Sequence, residues 1–276
     1  METLTETLMQ KHLAVPPSHS AVNVDVVVSP RGLKFWLVPS HAVPLVSLEF
    51  AMRGGAAQDP AEKAGLGALM SGLLDEGAGE LDSQAFHRAL DEKAVEMSFH
   101  CDRDHWGGRM RTLVKNLDRA AELLRLAVNA PRFDEEPLER GREHMNARLR
   151  HDANDPGTLA ARNWKAKSFP DHPYGQPADG TLETLARIER ADLVHSATQG
   201  IARDRLLIAV VGAIEEKDAA ALVDYSINPF ALAANSLGVE STFSTIRCIG
   251  SPSTGLTSKL SVCASARNSG SFMVAA

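Results

Sequence analysis

The chain has 276 residues, of which 44% are hydrophobic and 23% are charged, and its formal net charge at pH 7 is -6. This composition is typical of a soluble globular protein with one large domain or two small ones. Lysine and arginine are scattered among the acids, so we expect no nucleic-acid partner.

Three features bear on the compartment in which the protein works. The chain has three cysteines, Cys101, Cys248 and Cys263, which are too few and too widely spaced for a disulfide framework or a four-thiolate zinc site. No run approaches the roughly 18 apolar residues of a membrane-spanning helix, so we expect no membrane span. The N-terminus lacks the apolar stretch of a signal peptide and, taken as written, predicts a cytoplasmic protein.

Residues 21–224 contain the periodic patterns of a folded domain. Alternating, β-branched runs predict about six strands, at Val22–Val28, Leu33–Val38, Val43–Met52, Ala94–Cys101, His105–Leu113 and Leu206–Val211. Helical periodicity predicts about seven helices, at Ala64–Gly77, from about Asp82, and at Leu117–Val128, Glu135–His151, Thr158–Ser168, Ala191–Gln199 and Glu215–Val223. Hairpins come early and midway instead of alternating with helices. The pattern therefore predicts an α+β fold, a mostly antiparallel sheet with helices packed against it.

The two ends of the chain differ in character from this domain. Residues 1–20 are polar and contain a Pro-Pro pair, which predicts a flexible N-terminal arm. Residues 225–276 contain one acid and eleven serines, with neither a helical nor a strand period. Three interpretations of this divergent Ser-rich tail stay open: a disordered segment, an out-of-frame continuation, and a small native appendage.

The segment Ala64–Gly77, with the sequence AGLGALMSGLLDEG, is predicted to be a buried helix behind a glycine-rich turn at residues 53–56. Its large apolar residues recur at spacings of three and four, which is the period of one helical face. They are Leu66, Leu69, Met70, Leu73 and Leu74. No side chain from Gly65 to Leu74 is a usual zinc ligand or transfers a proton near pH 7.

A histidine- and acid-rich hairpin is the first candidate for chemistry. His100, Cys101, Asp102 and His105 have the side-chain chemistry of a metal site. However, successive residues of a strand point to opposite faces, so His100 and Cys101 cannot converge on one ion. We interpret Asp102 and its neighbours as turn-forming residues.

The other candidates are weaker. His144 and His151 lie two turns apart on one helix and have no third ligand nearby, so a solvated helix face is the better interpretation. Ser71 lacks the G-x-S-x-G setting of a nucleophile, and the chain contains neither a P-loop nor a complete dinucleotide fingerprint. The residues taken alone indicate no catalytic centre.

A series of short motifs, in this order and spacing, resembles the pitrilysin/insulinase family of zinc metallopeptidases over roughly residues 20–224. The motifs are Arg53-Gly54-Gly55-Ala56, AGLGALMSGLLDEG, Arg103-Asp104-His105, Asn154-Asp155-Pro156, His172-Pro173-Tyr174-Gly175 and Gly180-Thr181. Active members, including relatives of the mitochondrial processing peptidase, carry an inverted zinc motif, H-x-x-E-H, on the helix that matches the second of these motifs. Its two histidines bind zinc and its glutamate serves as general base.

The resemblance places the family's site on residues that cannot perform its chemistry. The histidine positions fall on Ala68 and Gly72, the glutamate position on Ser71, and the third ligand on Ala147 or Arg148. It therefore implies a member that has lost the zinc motif, with no catalytic residue, no metal ligand and no cofactor of its own.

The family also suggests what such a chain does. We expect a proteolytically inactive homologue that serves as the non-catalytic subunit of a heteromeric peptidase, with a zinc-bearing subunit of the same family as its partner. A peptide substrate would add as a strand beside Met97, Ser98, Phe99 and His100. The loop at residues 169–180 is expected to be ordered scaffold. The resemblance favours the periplasm if the N-terminus is incomplete. A structural core-type subunit of a larger complex and a truncated product without function remain alternatives.

Overall fold

The computed structural model describes residues 23–199 and 206–227, together with two short strands, Ser261–Val262 and Val274–Ala275, that pair with each other. The larger of two compact units spans Asp25–Phe243, and it contains the sheet and all the helices discussed below. The predicted N-terminal arm and almost all of the predicted Ser-rich tail lie outside the described residues. Both therefore stay predictions.

A six-stranded sheet in the order β1-β2-β8-β3-β7-β6 forms the frame of the larger unit. Two further strands, β4 and β5, form a small separate hairpin. The strands are β1 Asp25–Val28, β2 Lys34–Pro39, β3 Leu45–Arg53, β4 Gly77–Ala78, β5 Leu81–Asp82, β6 Glu96–Cys101, β7 His105–Leu113 and β8 Leu206–Gly212. All neighbouring pairs in the six-stranded sheet are antiparallel except β2 and β8, so the predicted mostly antiparallel sheet is confirmed.

Eight α-helices accompany the sheet in the described part of the chain. They are α1 Leu66–Ser71, α2 Ser83–Glu92, α3 Leu117–Asn129, α4 Glu135–Asp152, α5 Pro156–Ser168, α6 Leu182–Ala186, α7 Arg190–Gln199 and α8 Glu216–Ser226. Two of these helices begin at an N-capping carboxylate: that of Asp82 accepts the N–H of Ala85 at 2.8 Å and that of Asp155 accepts the N–H of Thr158 at 2.7 Å. No helix of residues 23–199 and 206–227 combines the length and apolarity needed to cross a membrane.

The helix predicted over residues 64–77 is shorter than expected. Helix α1 ends at Ser71, residues 72–75 form turns, and β4 begins at Gly77. Glycine is a poor helix former, and this segment contains four glycines. Gly77 also has a φ of 115°, which a helix cannot accommodate. The apolar period correctly identified the buried residues but overestimated the length of the helix.

The two faces of the sheet are unlike. On one face the side chains are buried: Phe35, Leu37, Val46, Leu48, Phe50, Met52, Ile208, Val210 and Met110. Helices α1, α3 and α8 pack against the strands on this core side. On the other face, which we call the open face, all the described strand residues except Gly107 are half-buried or exposed. Within the described residues, the sheet is therefore covered on one side.

Helix α8 is hydrogen-bonded to the turn between β1 and β2. Asp224, near the end of α8, accepts hydrogen bonds from the Ser29 hydroxyl at 2.6 Å and the Arg31 N–H at 3.1 Å. Ser226 and Ile227 are buried. The helix predicted from Glu215 thus continues a turn past Val223, and the proposed domain boundary at residue 224 stays a prediction.

Candidate functional site

Helix α1 presents small residues at the positions where the family resemblance places zinc ligands. Ala68 is half-buried and Gly72 is exposed at the C-terminal end of the helix. Ser71 is buried, and its hydroxyl donates a hydrogen bond to the carbonyl oxygen of Gly67 at 2.8 Å. A methyl group, a glycine and a hydroxyl already bound to the backbone do not fit a zinc ion, which requires imidazole, thiolate or carboxylate ligands.

The residues at the position of the third ligand do not fit a zinc ion either. Arg148 on α4 is half-exposed and forms a salt bridge with Asp179, while Ala147 has no donor atom. A guanidinium at this point would repel a divalent cation. Within residues 23–199 and 206–227, no group of three or more His, Cys, Asp or Glu side chains lies close enough to hold a metal ion.

A carboxylate that the sequence reasoning missed holds the start of α1. Asp59 accepts hydrogen bonds from the backbone N–H groups of Gly65 at 3.1 Å and Gly67 at 3.1 Å. Burial raises the pKa of Asp59 to about 6, although its hydrogen bonds to the backbone oppose this shift. Asp59 lies too far before the helix for the usual N-cap pattern to identify it. No local signal would have found it.

The hairpin between β6 and β7 contains the histidine- and acid-rich cluster. A Cβ at Gly67 would lie 2.7 Å from the Cys101 sulfur, so Cys101 faces α1. His100 occupies the open face, in register with Gly107. The expectation that these neighbours diverge is confirmed, and burial raises the pKa of the Cys101 thiol to about 12. Such a thiol stays protonated near pH 7 and is a poor metal ligand or nucleophile.

The turn of this hairpin supports the glycine-rich segment at residues 53–56. One oxygen of Asp102 accepts the N–H groups of Asp104 at 2.8 Å and His105 at 2.6 Å, which confirms its predicted turn role. The N–H of Ala56 donates to the Asp102 carbonyl, and the N–H of Gly54 donates to the Asp104 carbonyl, each at 2.7 Å. The glycine-rich segment is therefore held by backbone contacts.

Arg103 fastens the loop at residues 169–180 to the same hairpin. Its guanidinium donates to the carbonyl oxygens of Tyr174 and Gln176, both at 2.9 Å. The Tyr174 hydroxyl donates to Asp104, and the ring of Phe169 packs edge-on against that of Tyr174. The loop thus has the contacts expected of an ordered scaffold.

We predict that Arg103→Lys loosens this loop. Both hydrogen bonds come from Nη1 of Arg103, and the ammonium of the shorter lysine side chain ends nearer the backbone than Nη1 does, so the variant should lose about 1–2 kcal/mol of stability. Amide hydrogen exchange should accelerate at residues 174–176. Arg53 and Arg103 line one surface cleft, and Arg53 is exposed. Arg53→Lys is therefore the control. Equal exchange rates in both variants and the parent would contradict the role given to Arg103.

The four residues predicted to bind substrate lie together on β6, an edge strand of the sheet. Met97 and Phe99 are half-buried against the core, whereas Ser98 and His100 belong to the open face. Burial lowers the pKa of His100, partly offset by the charge of Asp102. The structure places these residues where an extended peptide could pair, and their role in binding stays a prediction.

Known proteins resemble the chain over most of the described domain, although no family model matches it. The non-peptidase homologue YmxG of Helicobacter pylori is 25% identical over 173 residues, which are 63% of this chain and 40% of that protein. Subunit 1 of the mitochondrial cytochrome b-c1 complex of Bos taurus is 21% identical over 163 residues, 59% of this chain and 34% of that protein. The chain thus spans less than half the length of these relatives.

Solved structures share the fold. The inactive domain of an M16 peptidase from Pseudomonas fluorescens superimposes with a TM-score of 0.72 and 23% identity, over 79% of this chain and 53% of that one. Pitrilysin superimposes with a TM-score of 0.66 and 16% identity, over 79% of this chain and 24% of that one. Together, the relatives and these structures support the resemblance of the chain to the pitrilysin/insulinase-like family.

Proposed function

We propose that the chain is a proteolytically inactive homologue of the zinc metallopeptidases and forms part of the substrate chamber of a heteromeric peptidase, beside a zinc-bearing subunit. The observation that carries this proposal is the chemistry of α1. Ala68, Ser71 and Gly72 stand where the resemblance places the ligands and the base, and none of them can bind zinc or accept a proton from water near pH 7. The relatives that include a non-peptidase homologue and an inactive domain support it.

The proposal separates binding from cleavage. A neutral serine hydroxyl bound to the Gly67 carbonyl cannot take a proton from water near pH 7, and no metal-activated water is available from these residues. Among the described strands β6 is an edge strand, so its outer backbone groups can pair with an extended peptide. The chain would therefore help to hold a peptide while its partner subunit cleaves it.

Metal analysis and peptide cleavage test the proposal directly. The purified chain should contain no stoichiometric zinc and should not cleave an unstructured peptide, with or without added zinc. Addition of a family member that carries H-x-x-E-H should give cleavage that depends on both chains. Stoichiometric zinc together with chelator-sensitive proteolysis by this chain alone would overturn the proposal.

A second candidate is a structural subunit without any role in proteolysis. It is favoured by the likeness to subunit 1 of the cytochrome b-c1 complex. Co-purification of the native protein separates the two functions. Recovery in a stable assembly that contains an H-x-x-E-H protein supports the peptidase partner, whereas recovery in a membrane complex that lacks one supports the structural subunit.

We predict that the triple variant Ala68→His, Ser71→Glu and Gly72→His does not restore proteolysis. The exposed Gly72 position has room for a side chain, since its Cβ would lie no closer than 3.7 Å to any neighbour. However, Ser71 is buried, and Arg148 still stands near the position of the third ligand. Zinc-dependent peptide cleavage by the triple variant would contradict the prediction. The same variant with Arg148→Glu tests whether the fourth position is the remaining obstacle.

A further inference from the structure

The open face next to the edge strand carries an exposed arginine, Arg109. One rung of the sheet crosses all six strands and consists of directly paired residues. From β1 to β6 they are Val26, Trp36, Ala209, Glu49, Arg109 and Ser98. Arg109 is exposed and, within the described residues, forms no salt bridge. Ser98, its neighbour on β6, is small and also exposed.

The nearest acids on this face form no salt bridge with Arg109 in the described part of the chain. Arg111 is bound to Glu96 at 2.7 Å, so this pair on the adjacent rung is internally compensated. Glu49 lies on the far side of Arg109 from the edge, and burial raises its pKa while the charge of Arg109 lowers it. Its side chain forms no salt bridge within the described part of the chain. On this rung, Arg109 is thus the cationic side chain nearest to the edge strand β6.

We infer that the β6 edge selects extended peptides with a glutamate at the position opposite Ser98, and that Arg109 determines this preference. The inference rests on the proposed peptide-binding function. Residues directly opposite one another in paired strands project from the same face. A side chain opposite Ser98 would therefore emerge on the open face, toward Arg109.

The geometry favours glutamate over aspartate. Neighbouring strands lie about 4.8 Å apart, so Arg109 and the added residue are separated by two spacings, about 10 Å between backbones. An arginine and a glutamate side chain together span this distance across the small Ser98, while aspartate is shorter by one methylene. The resulting charged pair would be partly exposed. It should strengthen binding by about three- to tenfold over glutamine.

Fluorescence anisotropy on the full chain provides the test. Three labelled peptides of alternating valine and threonine, identical except for a single central Glu, Gln or Lys, are titrated at low and high salt. The Glu peptide should bind about three- to tenfold more tightly than the Gln peptide, and the difference should shrink with salt. Arg109→Gln should abolish the difference. Arg88→Gln removes an exposed arginine on α2 and should preserve it.

Hydrogen exchange identifies where the peptides bind. Bound Glu and Gln peptides should both slow amide exchange in β6, at Met97–His100. Equal affinities for Glu and Gln peptides, with β6 protected, would overturn the selectivity and leave the proposed peptide-binding function intact. Failure of all three peptides to bind or to protect β6 would contradict the peptide-binding function itself. A preference for glutamate that survives Arg109→Gln would refute the role of Arg109.

Discussion

Gly55→Ala is expected to destabilise the domain by about 3 kcal/mol or more. A Cβ at this position would lie 2.1 Å from the carbonyl oxygen of Asp102 and 2.6 Å from that of His105. Because both neighbours are backbone atoms, no rotamer change relieves the overlap. The glycine-rich segment must then move away from the hairpin turn and lose the hydrogen bond of the Ala56 N–H at 2.7 Å.

Denaturant unfolding measures the change, and Gly72→Ala is the matched control. The Cβ at Gly72 would meet no atom closer than 3.7 Å, and its φ of -73° suits alanine. The control should change the free energy of unfolding by less than about 1 kcal/mol, in either direction. Similar stabilities for the two variants would show that the hairpin yields to the added methyl group.

Below its folded-state pKa of about 6, Asp59→Ala is expected to destabilise the domain by about 2 kcal/mol, because the N–H groups of Gly65 and Gly67 lose their acceptor. Asp59→Asn keeps one acceptor oxygen, so its stability should lie between that of Asp59→Ala and that of the parent. Thermal or denaturant unfolding of the three proteins measures the order of their stabilities. A parent and Ala variant of equal stability would show that water replaces the carboxylate without cost.

The same residue predicts a pH dependence. Its pKa rises from 3.8 to about 6 on folding, so the folded state binds the proton more tightly than the unfolded state. The stabilisation from this proton is complete below pH 3.8 and is lost as the pH rises through about 6. Over this window the parent should lose up to about 3 kcal/mol relative to Asp59→Asn. A difference that does not vary with pH would contradict the raised pKa.

Local patterns predicted most of the fold. Alternating runs identified all six strands of the main sheet, because β-strand periodicity is set by the pleat of each strand alone. Helix caps such as Asp155 are also local, because the capping side chain binds an N–H within the first turn of the helix that it begins. The short helix α6 and the small β4–β5 hairpin were missed because neither is long enough to show a period.

The candidate site was predictable in a different way. The residue types at 68, 71 and 72 are a property of the sequence, and no arrangement of α1 could make ligands of them. What the sequence did not reveal is what those residues do instead. Ser71 bonds to the Gly67 carbonyl, and Arg148 pairs with Asp179. The first contact is local to α1, whereas the second depends on how α4 and the loop at residues 169–180 pack.

The sequence by itself thus determined the α+β class, the strand periods and the absence of the family's zinc ligands from α1, since each depends on residues close together in the chain. Only the tertiary structure decided that β8 lies between β2 and β3, and that Asp59 anchors α1. It also decided that Arg109 lies next to Ser98 of the edge strand and forms no salt bridge in the described part of the chain. These features join residues far apart in sequence, and strand order and register are set by the packing of the whole domain.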